Sequence, residues 1–326
     1  MNKLTDNLKG RTKLILLAIF IHELNRRTKS GLLAIFILLT PSVLYADTFL
    51  HGEAIWPVFE GWRENPDGTK NLMFGYMNEN WEEQPFIVVG DNNFLSPGDM
   101  DQGQPANFLP RRNRFTFEVT VPSDWGDREL VWTLNVNGVE GKAFGSLKPD
   151  YLVDNMIIAS ETGSLGIGTS SPESRANVPP VMTVQGDDVR TARVGEAITL
   201  QTHIADDGLP RTRGTTSRTE ESLVRAMFRP PAKPTVNKIN GLFLSWNLYR
   251  GAGKVEFDPP QTKVWEDTRT SANSPWGSLW LQPEIPEDGM IEVTATFDLP
   301  GTYVLWGRTD DGGLYDDRYI TVNVSP

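Results

Sequence analysis

Four aspartates near the C-terminal end, Asp310, Asp311, Asp316 and Asp317, with Asp206 and Asp207 upstream, are a concentrated set of hard oxygen donors. Calcium takes about six to eight such oxygens, which makes these four the candidate calcium ligands. Their spacing does not match an EF-hand loop. Asp-Gly steps such as Asp311-Gly312 also supply the φ > 0 residues of hairpin turns, so the turn reading stands beside the metal one. No other cofactor is indicated. The chain has ten tryptophans, whose flat faces suit sugar rings. Trp132 and Trp246 fall in mid-strand and read as core. Trp265, Trp276 and Trp280 lie in a Pro/Ser/Asn-rich connection where no strand alternation buries them, which makes them candidates for binding polysaccharide. Packing beneath a long loop is the alternative.

A third candidate is the segment 211–238. It carries Arg211, Arg213, Arg218, Arg225, Arg229, Lys233 and Lys238 against Glu220 and Glu221, a basic island in an acidic protein. Ser217-x-x-Glu220 is a capping box, and Leu223, Val224, Met227 and Phe228 follow at helical spacing until Pro230-Pro231 stops the run. Arg218 and Arg225 are thereby candidate ligand-binding residues, with contact to the acidic body as the alternative. Arg111, Arg112 and Arg114, near Asp99 and Asp101, read as ion-paired where a strand begins, with an anion site as the alternative.

The catalytic inventory is thin. The chain has no cysteine, so thiol nucleophiles, thiolate metal sites and disulfides are excluded, and it has only three histidines. His22 falls in a leader, leaving His51 and His203, too few for a three-His zinc site. Neither a Gly-x-Ser-x-Gly elbow, nor a P-loop, nor a His-x-x-x-His pattern occurs. Paired carboxylates could in principle hydrolyse glycosides, but so many acids are present that the idea selects no residue. The residues therefore favour a non-catalytic binding or scaffolding protein over an enzyme. A polysaccharide-binding module is the second reading, and a carboxylate hydrolase the third.

The whole chain has 31 Lys and Arg against 42 Asp and Glu. Seven of those bases and only two of the acids lie in residues 1–46. Residues 47–326 are therefore acidic enough to repel phosphates, which argues against nucleic acid and anionic lipid as partners. Arg26-Arg27-Thr28-Lys29, the apolar run Leu32 to Leu39, a Pro41-Ser42 break and Leu44-Tyr45-Ala46 stand in the order of a secretory signal. Cleavage after Ala46 is expected, giving a periplasmic or extracellular protein with no membrane span in the mature form. Its partner is then a protein or a polysaccharide of the envelope or the exterior.

From Asp47 onward, short alternating strands are divided by turn signals, and no long helical period appears, which is an all-β pattern. Phe115, Phe117, Val119 and Val121 alternate with polar residues, as do Leu130, Trp132, Leu134 and Val136. Asn137-Gly138 then fits a type I′ hairpin. Residues 160–180 are rich in Gly, Ser, Thr, Asn and Pro and read as a linker. The expected organisation is a signal segment (1–46), a first β-sandwich (47–159), the linker (160–180) and a second sandwich (181–326) with an insertion at 209–240 between its strands B and C.

Trp246 in the middle of a strand and Tyr303 after Leu299-Pro300-Gly301 give residues 181–326 a resemblance to the immunoglobulin-like sandwich. The resemblance implies a strand-C tryptophan and a tyrosine corner. The family's two cysteines would fall near Thr202 and at Leu305, so packing must replace the bridge. Pro57-Val58-Phe59-Glu60-Gly61-Trp62, Phe74-Gly75-Tyr76-Met77-Asn78 and Ala272-Asn273-Ser274-Pro275-Trp276 are similar to strings in a group of uncharacterised secreted bacterial proteins. That similarity implies export and a two-part β architecture, and it brings no catalytic residues.

Overall fold

Turn chemistry and alternation set the strands of the first half. Asn65 accepts from Gly68 N–H at 2.9 Å and closes the turn between β1 (Ile55–Glu64) and β2 (Lys70–Asn78). Asn137 and Gly138 adopt φ of 53° and 79°, the left-handed pair that a type I′ turn requires, between β5 (Leu130–Val136) and β6 (Val139–Gly145). With β3 (Asn93–Ser96) and β4 (Arg111–Val121) these strands make two three-stranded sheets, ordered β1–β2–β4 and β3–β5–β6. Their inward faces enclose Phe74, Phe108, Phe117 and Trp132. The Trp132 ring stands edge-on to Phe117 at 4.9 Å, and its indole N–H donates to Asn93 Oδ1 at 3.0 Å, so the one polar atom of this buried ring is satisfied.

The computed structural model describes residues 49–164, 170–211 and 238–326, and residues 49–326 form one compact unit. The stretch read as a signal segment and most of the expected B–C insertion lie outside the described residues. Among those described, no helix is long and apolar enough to cross a membrane.

Eight further strands make the second half. They are β7 (Val181–Val184), β8 (Val189–Arg193), β9 (Ala197–Ala205), β10 (Phe243–Arg250), β11 (Val255–Asp258), β12 (Met290–Phe297), β13 (Gly301–Asp310) and β14 (Tyr315–Ser325). One sheet runs β11–β12–β9–β7 and the other β10–β13–β14–β8. All neighbours are antiparallel except β8, which pairs parallel with β14. Lettered in chain order from A, A′ and B to G, the sheets are D-E-B-A and C-F-G-A′, an immunoglobulin-like sandwich. Trp246 lies on strand C, 1% exposed, against Gly307 of strand F, where any Cβ would stand 2.9 Å from the indole. The positions expected for the cysteines, Thr202 and Leu305, are both fully buried. The Tyr303 hydroxyl donates to Leu299 O at 2.8 Å, which forms the tyrosine corner. Tyr303→Phe keeps the ring and deletes this bond. Urea unfolding should therefore show a loss of about 1 kcal/mol, and no loss would mean that the corner is held by packing alone.

The stretch read as a linker is tied down where it is described. Asp154 caps α1 (Asn155–Glu161) by accepting from Ile157 N–H, and Ser171 forms a capping box with Ser174 at the start of α2 (Pro172–Ala176). Ser164 donates to Asn240 Oδ1 at 2.8 Å and Asn177 to Asp311 Oδ2 at 3.1 Å. Small polar side chains anchor this segment by hydrogen bonds, which an argument from apolar burial does not see.

Strand β10 is buried on both sides. Leu244 and Trp246 face the sandwich core, while Phe243 and Tyr249 join Val264, Trp265, Trp280, Trp306 and Leu109 in a second apolar cluster. Leu109 comes from the first half, so the outer face of the C-F-G sheet is where the two sandwiches meet. Backbone bonds from Ala106 and Asn107 N–H to Tyr249 O, at 3.1 and 3.0 Å, continue the junction, and Phe115 packs with Leu314 in a third cluster. The arginines at the start of β4 do not pair with Asp99 or Asp101. Arg112 pairs with Glu60, Arg114 with Glu266 across the junction, and Asp101 with Arg250 of the second half.

Candidate functional site

Trp265 and Trp280 are 8% and 2% exposed, which corrects the expectation that they present free faces to sugar. The outer face of the C-F-G sheet is itself apolar and needs a cover, and the 259–289 connection supplies it. The Trp280 ring stands edge-on to Phe243 at 5.7 Å. Trp276 is half-buried, its indole N–H donating to Thr162 O at 3.1 Å and its ring 5.1 Å from the Lys238 ammonium. Arg218 and Arg225 lie outside the described residues.

The four aspartates do not form one oxygen cage, which corrects the grouping of Asp310, Asp311, Asp316 and Asp317 as ligands of a single calcium. Asp310 holds the Lys238 ammonium with both oxygens, at 2.7 and 2.6 Å, in a pair whose lysine side chain is 1% exposed. Asp311 Oδ1 accepts from Gly313 and Leu314 N–H, and its Oδ2 from Asn177. Asp316 takes Met182 N–H and Arg318, and Asp317 takes Arg308 at both oxygens. Among the described residues no group of three or more His, Asp and Glu is placed to hold a metal ion. Burial and the neighbouring charge of Asp310 push the Asp311 carboxyl up to about 7. Lys238, the last residue of the basic segment, thus meets the F–G turn at Asp310.

One cleft lies at the junction. It is a cavity of about 520 Å³ lined by Arg63, Phe117 and Glu118 from the first half and by Tyr249, Tyr315 and Tyr319 from the second. Tyr249 and Tyr319 meet edge to face at 5.0 Å, and Tyr319 remains 39% exposed. Burial raises the hydroxyls of Tyr249 and Tyr315 well above the ordinary range, so both stay neutral in physiological conditions. Each charged side chain of the wall has an internal partner. Arg63 pairs with Glu118 at 2.8 Å, Arg250 with Asp101 at 2.8 Å, Asp317 with Arg308 at 2.8 Å and Asp316 with Arg318 at 2.6 Å. Among the described residues, neither His51 nor His203 lines this cleft, and no serine does.

The aromatic residues of this cleft were not among the sequence candidates, whereas Asp316 and Asp317, read there as calcium ligands, do line it. A signal for them exists in Phe243-Leu244-Ser245-Trp246-Asn247-Leu248-Tyr249, which fails to alternate. A strand with large side chains on both faces must be covered on both, as strands in doubly covered sheets are.

No protein-family model matches the chain, and no curated protein matches it. Solved structures that align with it include domains 4 and 5 of the S-layer protein SbsC, at 8% identity over 61% of this chain and 66% of that one, with a TM-score of 0.23. Immunoglobulin domains 1–4 of Sidekick-1 align at 10% identity over 83% of this chain and 48% of theirs, with a TM-score of 0.21. The D0–D1 domain of Intimin aligns at 12% identity over 82% and 97%, with a TM-score of 0.22. Likenesses this weak carry no functional argument. The class of protein, an immunoglobulin-like β-sandwich, rests on the strand order, the parallel β8–β14 pair and the tyrosine corner.

Proposed function

We propose that this is a secreted, non-catalytic binding or scaffolding protein that takes its ligand in the tyrosine cleft between the sandwiches. The observation that supports the reading is the composition of the cleft wall. Neutral aromatic rings offer contact area, and every wall charge is already matched by an internal partner. Such a wall can hold a ligand by ring contact and hydrogen bonds, while general acid–base chemistry needs a group free to exchange protons at the reacting atom. Export is carried by the order of residues 26–46, and the acidic balance of residues 47–326 suits a protein or polysaccharide partner over nucleic acid.

Two measurements test this. N-terminal sequencing of the protein recovered outside the cytoplasm should begin at Asp47, and retention of Leu32 would overturn export by this route. In a fragment screen followed by NMR, ligands should shift the ring signals of Tyr315 and Tyr319, and Tyr319→Ala should weaken binding by about tenfold or more. A screen that leaves both rings unmoved would remove the cleft as the ligand seat.

A further inference from the structure

A second cavity, of about 630 Å³, lies where residues 82–109 of the first half face β10 and residues 252–265 of the second. Its wall differs in kind from the tyrosine cleft. Four carboxamides, Gln84, Asn107, Asn247 and Gln261, border it together with the rings of Phe86 and Phe257. Asn107 and Asn247 are only 9% and 7% exposed. Burying an amide is costly unless its donors and its acceptor find partners, and here they are incompletely matched. Asn107 Oδ1 has no hydrogen-bond partner, and neither does the indole N–H of Trp265, another residue of the wall. The side chain of Asn247 donates one hydrogen bond, to Ser245 Oγ at 3.2 Å. Phe86, by contrast, leaves 40% of a large ring exposed.

The chemistry of the occupant can be read from this combination. A purely apolar ligand would leave the amides unmatched, which binding sites built on hydrogen bonds penalise. An anion finds no cluster of free cations among the described residues of the wall, since Lys263 is held by Asp267 at 2.7 Å, which leaves Lys254 as a single cation. A hydroxyl group both donates and accepts, as a carboxamide does, and a pyranose ring presents several hydroxyls around a C–H face that an aromatic ring can cover. We propose that this cavity binds a short segment of a neutral glycan, with Asn107 and Asn247 engaging ring hydroxyls and Phe86 covering a sugar face. The inference rests on the non-catalytic binding reading and uses a cavity separate from the tyrosine cleft.

The test is calorimetric titration of the full chain with cellohexaose, mannohexaose and chitohexaose, with tetragalacturonate as the anionic contrast. At least one neutral probe should bind, and the anionic one should not. Phe86→Ala and Asn107→Ala should each weaken that binding by about tenfold or more, while Tyr319→Ala leaves it unchanged. Phe86 is exposed, so its variant should melt with the wild type and keeps the test valid if Asn107→Ala folds poorly. Absence of heat with all three neutral probes, or wild-type affinity in Phe86→Ala, would overturn the proposal. Binding abolished by Tyr319→Ala but not by Phe86→Ala would move the glycan to the cleft, overturning this site and leaving the binding function in place.

Discussion

Arg308→Met should destabilise the protein by about 3–5 kcal/mol and loosen the coupling between the unfolding of its two halves, because this guanidinium is a buried charge bonded to both of them. Arg308 is 5% exposed, and its fork donates to both oxygens of Asp317 at 2.8 Å. The same group reaches across the junction to Phe115 O at 2.7 Å, and its plane lies 3.9 Å from the Tyr315 ring and 4.6 Å from Trp306. Burial alone would lower an arginine's pKa, yet the charge of Asp317 and its hydrogen bonds raise it above the ordinary value, so the ion pair outweighs its desolvation. Methionine fills much of the volume but leaves the Asp317 carboxylate and the Phe115 carbonyl without a donor. Arg308→Lys restores the charge without the planar fork and should recover only part of the loss. Denaturant unfolding followed by both fluorescence and circular dichroism measures this. The double variant Arg308→Met with Asp317→Leu, which removes both charges, should be more stable than Arg308→Met alone. If Arg308→Met stays within about 1 kcal/mol of wild type and unfolds in one step, the junction is held by its apolar clusters instead.

Much of the fold was legible because its signals are local. Asn137-Gly138 specifies a turn through backbone sterics, the alternation from Phe115 to Val121 specifies a half-buried face, and Trp246 with Tyr303 marks the immunoglobulin-like core. The junction was not legible for the converse reason. Arg308 and Phe115 are 193 residues apart, and nothing near either residue announces the other. Trp265 and Trp280 show how this misleads. Their local sequence has no strand to bury them, so they read as exposed, but what buries them is the outer face of β10 and β13, present only once the sandwich has formed. The same holds for the charged residues. Asp310, Asp311, Asp316 and Asp317 look alike in the sequence, and only the fold gives one of them a lysine, two of them arginines and the fourth no counter-charge among the described residues.

That fourth residue supports the other large prediction. Asp311→Asn should stabilise the protein above pH 7, by up to about 4 kcal/mol, and change little near pH 4. Asp311 is 2% exposed, and burial together with the charge of Asp310 moves its carboxyl up to about 7, whereas in the unfolded chain it titrates as an ordinary aspartate. Below the unfolded value both states hold the proton, and the residue costs nothing. Between the two values the folded state binds more protons than the unfolded one, so wild-type stability falls as pH rises, and the loss is complete once pH exceeds the folded value. Asparagine removes the ionisation and can keep the contacts. Its Oδ1 still accepts from Gly313 and Leu314, and its new NH2 donates to the unpartnered Oδ1 of Asn177 once that amide, whose NH2 now donates to Asp311, turns over. Melting temperatures of wild type and variant from pH 4 to pH 8 should therefore diverge as pH rises. A variant less stable than wild type at pH 8 would sink the argument, because it would mean that the ionised carboxylate is held by a cation, and calcium titration of the wild type would then be the measurement that identifies it.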